Sequence, residues 1–226
     1  MPSKRIVLIG FLAAVLIFSE VIAPLAISLW LDRALVRVMP AKQHTVSARS
    51  FPGLLLWLGR FDNVSAVSET ASIDGLKIQE AKIAIGDARL NMSELIAKNR
   101  ITVEQVRDLQ IMLKVNEKDL AEYLGSKIKE VKNPTVKILA DKIEIRSEVD
   151  LGLLKFAVGV DGRLVGDATS IRFRSDKLEI KNSGGINYGA LFGEIPLLDL
   201  TKLPFKAGVR KIVMEPGMVT IYADNH

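Results

Sequence analysis

The chain reads as a β-rich α+β protein: a long curled antiparallel sheet wrapped around one or two amphipathic helices, preceded by an N-terminal transmembrane or stem helix. Three observations predict this. The first 40 residues are apolar or amphipathic at helical spacing, the remainder alternates apolar and polar residues with period two, and only three short stretches return to helical spacing. With the N-terminal segment set aside about 195 residues remain, enough for one large core, so residues 1–40 are expected to form an anchor or signal segment with a stem and 41–226 a single domain.

The anchor is justified first. Lys4 and Arg5 precede an unbroken apolar run from Ile6 to Phe18, and after Ser19-Glu20 the apolar character resumes from Val21 to Leu31. As a helix this run extends about 39 Å, more than the roughly 30 Å hydrocarbon core needs. Glu20 costs a few kcal/mol if inserted, while a dozen Ile, Leu, Val and Phe residues each return about 0.3–0.6 kcal/mol, so insertion is favoured. Pro24 directly after Ala23 opposes signal cleavage there, although cleavage would give a secreted protein. Lys4 and Arg5 favour a bacterial membrane protein with one span and its bulk outside the cytoplasm; Arg33 and Arg37 weaken that asymmetry. From Leu25 to Val38 the pattern is amphipathic, and Met39-Pro40 ends it.

Beyond Pro40, alternation at Ile83 and Ile85, at Leu109 to Val115, at Ile143 and Ile145, at Val158 and Val160, and at Ile171 and Phe173 predicts half-buried antiparallel strands. Phase slips near Gln79–Ala81 and Glu104–Val106 predict bulges. Turns are expected at Asp74-Gly75, Asp161-Gly162, Gly166-Asp167, Ser183-Gly184-Gly185 and Pro216-Gly217. The three helical stretches are Ser93 to Lys98 with Ser93 as cap, Asn116 to about Ile128, and about Tyr188 to Leu198. In the second, Asn116 caps, Glu117 and Asp119 suit the positive end, and Leu120, Leu124 and Ile128 form one stripe that must pack on the sheet.

Composition excludes several function classes. Lys+Arg number 31 against 26 Asp+Glu, and the bases alternate with acids along the strands, so no nucleic-acid stripe exists. The chain has no cysteine and only two histidines, His44 and His226, so no disulfide, thiolate nucleophile, zinc set or His-based triad can be written. The glycines match neither a phosphate loop nor a dinucleotide fingerprint. No cofactor and no catalysis are expected.

What stands out is apolar sequence. Phe51, Leu55, Trp57 and Leu58 fall in the run from Phe51 to Gly59, which is either a core segment or a groove wall or membrane contact above the stem. Leu154, and Leu191 with Phe192, pose the same choice. Together with Leu120, Leu124 and Ile128, these are the candidate apolar-groove residues.

The ordered landmarks resemble the LmeA-like phospholipid-binding family. They are the hydrophobic leader and stem, Ser50-Phe51-Pro52 with its leucine run, Gly59-Arg60-Phe61-Asp62-Asn63-Val64, the step Val115-Asn116-Glu117-Lys118-Asp119-Leu120, and Leu203-Pro204-Phe205 before Val209-Arg210-Lys211-Ile212. The turn Glu215-Pro216-Gly217-Met218 departs from the plainer turn expected. The resemblance implies a sheet curled around helix to form an apolar cavity, akin to tubular lipid-binding proteins, with phospholipid or another acyl lipid and a membrane as partners. Residues alone leave a second reading: a structural module of the cell envelope whose greasy run docks a protein.

Overall fold

A computed structural model describes residues 4–150, 155–180 and 193–225. Chain contacts divide the molecule into two compact units, one of residues 1–68 and 82–110, the other of residues 69–81 and 111–226.

The first unit is organised by α1 (Lys4–Val38), in which Pro24 is accommodated. Every described side chain from Ile6 to Phe18 is exposed. From Ser19 onward one stripe is buried, formed by Ala23, Ile27, Leu31 and Leu35 at strict i, i+4 spacing. It packs against β1 (Ala41–Arg49) and α2 (Leu54–Trp57). Ser28 Oγ accepts from the Ala48 amide of β1. The unit also holds α3 (Met92–Lys98), capped by Asn91, whose Oδ1 accepts from the Glu94 amide; Ser93 donates its hydroxyl to that same oxygen and is not the cap. Asn91 wins because the first helical amides lie three residues beyond it.

Three long strands, β2 (Arg60–Ile73), β3 (Leu76–Leu90) and β4 (Val103–Asn116), contribute residues to both units. The slip expected at Gln79–Ala81 is visible in β3, where Leu76 and Ile78 are buried and the next buried position is Ala81. In β4 the buried alternation likewise starts only at Leu109. β2 and β3 meet at Asp74-Gly75, both with positive φ (52° and 87°), the two-residue turn that strand twist favours.

The second unit carries α4 (Glu117–Lys127), β5 (Val131–Ile138), β6 (Ile143–Asp150), β7 (Lys155–Gly166), β8 (Ser170–Ile180), β9 (Glu194–Asp199), a 3-10 turn (Leu200–Lys202), β10 (Gly208–Glu215) and β11 (Met218–Asp224). Strand order is β1-β2-β3-β4-β11-β10 in one sheet and β5-β6-β7-β8-β9 in the other. The five-stranded sheet is an antiparallel meander curled as a half-barrel.

Two expectations are corrected here. Asp161-Gly162 is no turn: it lies inside β7, where the register against β8 shifts, and a Cβ on Gly162 would stand 2.2 Å from the Arg174 carbonyl oxygen. The helix expected over Tyr188–Leu198 is a strand in its described part, β9, paired with β8. Pro196 is tolerated because β9 is an edge strand. The expected turn at Ser183–Gly185 lies outside the described residues.

Candidate apolar binding site

The site is built around α4 in the second unit. Asn116 Oδ1 accepts from the Asp119 amide at 2.8 Å, as its spacing required, and Glu117 accepts from the Ile138 amide at the end of β5. The helix reaches both edges of the half-barrel: Gly125 lies against Pro134 of β5, and the Tyr123 hydroxyl donates to the Pro196 carbonyl of β9. Burial pushes the Tyr123 phenol pKa up.

Beneath the helix is an apolar cavity to whose wall the described residues contribute no exposed polar atom. Leu120 comes from α4, Leu76 and Ile78 from β3, and Val115 from β4. Leu164 and Ile171 come from β7 and β8, Leu197 and Leu198 from β9, and Val219 and Ile221 from β11. Two adjacent leucines reach one space because Leu198 pairs with Ile171 and Pro196 with Arg172, which leaves Leu197 as an extra, bulged residue. The space left unfilled is about 10 Å³. That is near the minimum for one water, and the apolar wall offers a water no partner, so the side chains pack around almost no free space.

Two exposed ion pairs hold the β2–β3 turn: Lys202 to Asp74 at 2.9 Å and Lys77 to Glu122 of α4. The hydrogen bond between Lys77 and Glu122 raises the lysine pKa and lowers that of the glutamate; Asp74 raises that of Lys202. Exposed pairs of this kind contribute little stability and yield readily to a competing anion.

Residues 21–224 match the family model described as LmeA-like phospholipid-binding. The chain belongs to the LmeA-like phospholipid-binding family. No curated protein and no solved structure matched.

The candidate residues of this LmeA-like chain fall in different places. Leu120 lines the cavity, Leu124 is buried one turn on without lining it, and Ile128 is the half-buried C-cap of α4. Phe51, Leu55, Trp57 and Leu58 belong to the first unit, where α2 packs on α1 and Leu56 is the fully buried anchor. Leu154, Leu191 and Phe192 lie outside the described residues. Sequence reasoning missed the nine β-strand wall residues as a site: most are ordinary alternating positions, and Leu197 joins them only through the bulge in β9. It also missed a Ser–His pair: His44 Nδ1 of β1 lies 2.7 Å from Ser68 Oγ of β2. Ser68 is fully buried, so its hydroxyl reaches no substrate and the pair reads as a packed cross-strand hydrogen bond.

Proposed function

We propose that this LmeA-like protein binds one phospholipid outside the cytoplasm while tethered to the membrane by α1, and performs no chemistry on it. The cavity under α4 carries the reading. Its wall is wholly apolar, drawn from both sheets, and bounded on one side by a helix pinned to the β2–β3 turn by an ion pair. At about 0.8 kcal/mol per buried CH₂, a dozen methylenes supply roughly 10 kcal/mol before the costs of association. Because only about 10 Å³ is left between the wall residues, an acyl chain must part them. Release of the Lys77–Glu122 and Lys202–Asp74 pairs frees two cations beside Leu76, and the lipid phosphate is the anion proposed to take them.

Tethering is supported by α1, the one helix among the described residues long and apolar enough to cross a membrane. Lys4 and Arg5 before it favour an inside N-terminus. The test is native mass spectrometry of the full chain purified without added lipid. One phospholipid per chain is expected, absent from the Leu164→Trp variant, which fills the cavity from its least buried wall residue. A wild-type chain without lipid, or a folded variant retaining as much as wild type, would overturn the proposal.

A further inference from the structure

We infer that the segment Phe51–Leu58 is immersed in the outer leaflet of the bilayer, so that the first unit is seated in the membrane and not suspended above it. The inference rests on α1 as the span. Phe51 is 80% exposed and Leu58 65%, with Leu54 and Trp57 also exposed, an apolar cluster with no polar side chain within it. It is continuous with the exposed face of α1, which carries Val21, Ile22, Leu25 and Leu29 beyond the exposed described side chains of Ile6–Phe18.

Its depth follows from two contacts. The Gly53 amide donates to Glu20 Oε1 at 2.6 Å, and Trp57 meets Trp30 edge to face with ring centroids 5.7 Å apart. With Ile6 at one boundary of a roughly 30 Å core and 1.5 Å of rise per residue, Glu20 lies about 21 Å in and Trp30 about 6 Å beyond the far boundary. The Phe51–Leu54 end therefore reaches acyl chains, and the tryptophan pair sits in the interfacial belt where indoles concentrate. Exposed Arg33, about one turn beyond Trp30, stands at headgroup level.

Lipid, unlike water, offers no partner to a loop's backbone, and this loop needs few. Phe51 N–H donates to Asp62 Oδ2, Pro52 has none, Gly53 N–H has Glu20, and the amides of Leu55, Leu56, Leu58 and Gly59 donate to carbonyls of Pro52, Gly53, Leu55 and Leu56. Irregular backbone tolerates hydrocarbon only when its polar groups find partners within the protein, and these six amides do. Glu20 likewise spends its carboxylate on the loop.

The chain has no cysteine, so single-cysteine variants of the full protein can carry an environment-sensitive nitrobenzoxadiazole label in phosphatidylethanolamine/phosphatidylglycerol vesicles. Phe18→Cys reports the span, Phe51→Cys and Leu58→Cys the loop, and Lys137→Cys the aqueous control. Blue-shifted emission and quenching by doxyl-labelled lipid are expected at 18, 51 and 58, with a deeper quencher position preferred at 51 than at 58. Quenching at 18 but not at 51 or 58 overturns the seating alone. A blue shift at 51 without quenching assigns the loop to a protein or a second copy and overturns it too. No quenching at 18 overturns tethering and seating together.

Discussion

Leu120 and Leu124 offer a matched pair for testing the cavity. Both are leucines of α4 with 2% exposure, and only Leu120 lines the cavity. Truncation to alanine without lipid should cost each variant about 2–5 kcal/mol, a fall of very roughly 4–20 °C in Tm for a chain of this size. With saturating lipid the two should part. In Leu120→Ala the acyl chain expands into the vacated space, and three carbons at about 0.8 kcal/mol each return roughly 2.4 kcal/mol. In Leu124→Ala no ligand atom can reach the void, so the lipid adds only what it adds to wild type, about 2.7 kcal/mol at a hundred times Kd. Thermal unfolding of the three proteins with and without a monomeric lysophospholipid reads this directly. Equal lipid-induced shifts in both variants would show that the cavity is not where the chain sits.

Three further outcomes follow from local geometry. The Asp167 carboxylate accepts from the Thr169 and Ser170 amides and hydroxyls, which lower its pKa from 3.8 to about 2. Its stabilisation is thus fully present above pH 3.8 and is lost as pH falls through about 2, so Asp167→Asn should flatten stability against pH across that window in acid-unfolding curves. Gly162→Ala places a Cβ 2.2 Å from the Arg174 oxygen and should cost about 1–3 kcal/mol in denaturant unfolding, as forced overpacking does; a neutral result would show that β8 can move away. Glu20→Ala strands the Gly53 amide at a cost of about 1–3 kcal/mol. Glu20→Gln, keeping an acceptor, should recover most of it, which protease sensitivity of the 51–59 segment can follow.

Local signals in the sequence translated well wherever the physics was local. Asn116 caps α4 because a side-chain acceptor three residues before a free amide needs no distant partner. Alternation located β6 and β8, and Asp74-Gly75 supplied the positive φ angles that its turn demands. Asp161-Gly162 has the same chemistry but lies inside β7, where the glycine serves a close approach to the neighbouring strand. Residues 194–198 carry apolar positions compatible with a helix, and pairing with β8 made them a strand. The cavity wall was the least legible feature. It draws one or two residues from each of seven elements, and its one adjacent pair, Leu197-Leu198, exists only because a bulge breaks the alternation that sequence reading relies on. Phe51 and Trp57 stood out as part of an apolar run, but whether that run was core or surface was decided only by the fold, which leaves both side chains exposed.

Strand order gives the site a place in time. β11 lies between β4 and β10, though some hundred residues separate it from β4 in the sequence, and it supplies Val219 and Ile221 to the cavity wall. A nascent chain that has completed the half-barrel and α4 still has a gap where those two side chains belong. On the proposed reading lipid capture awaits β11, and a protein truncated just before Met218 is expected to hold no ligand while keeping α1.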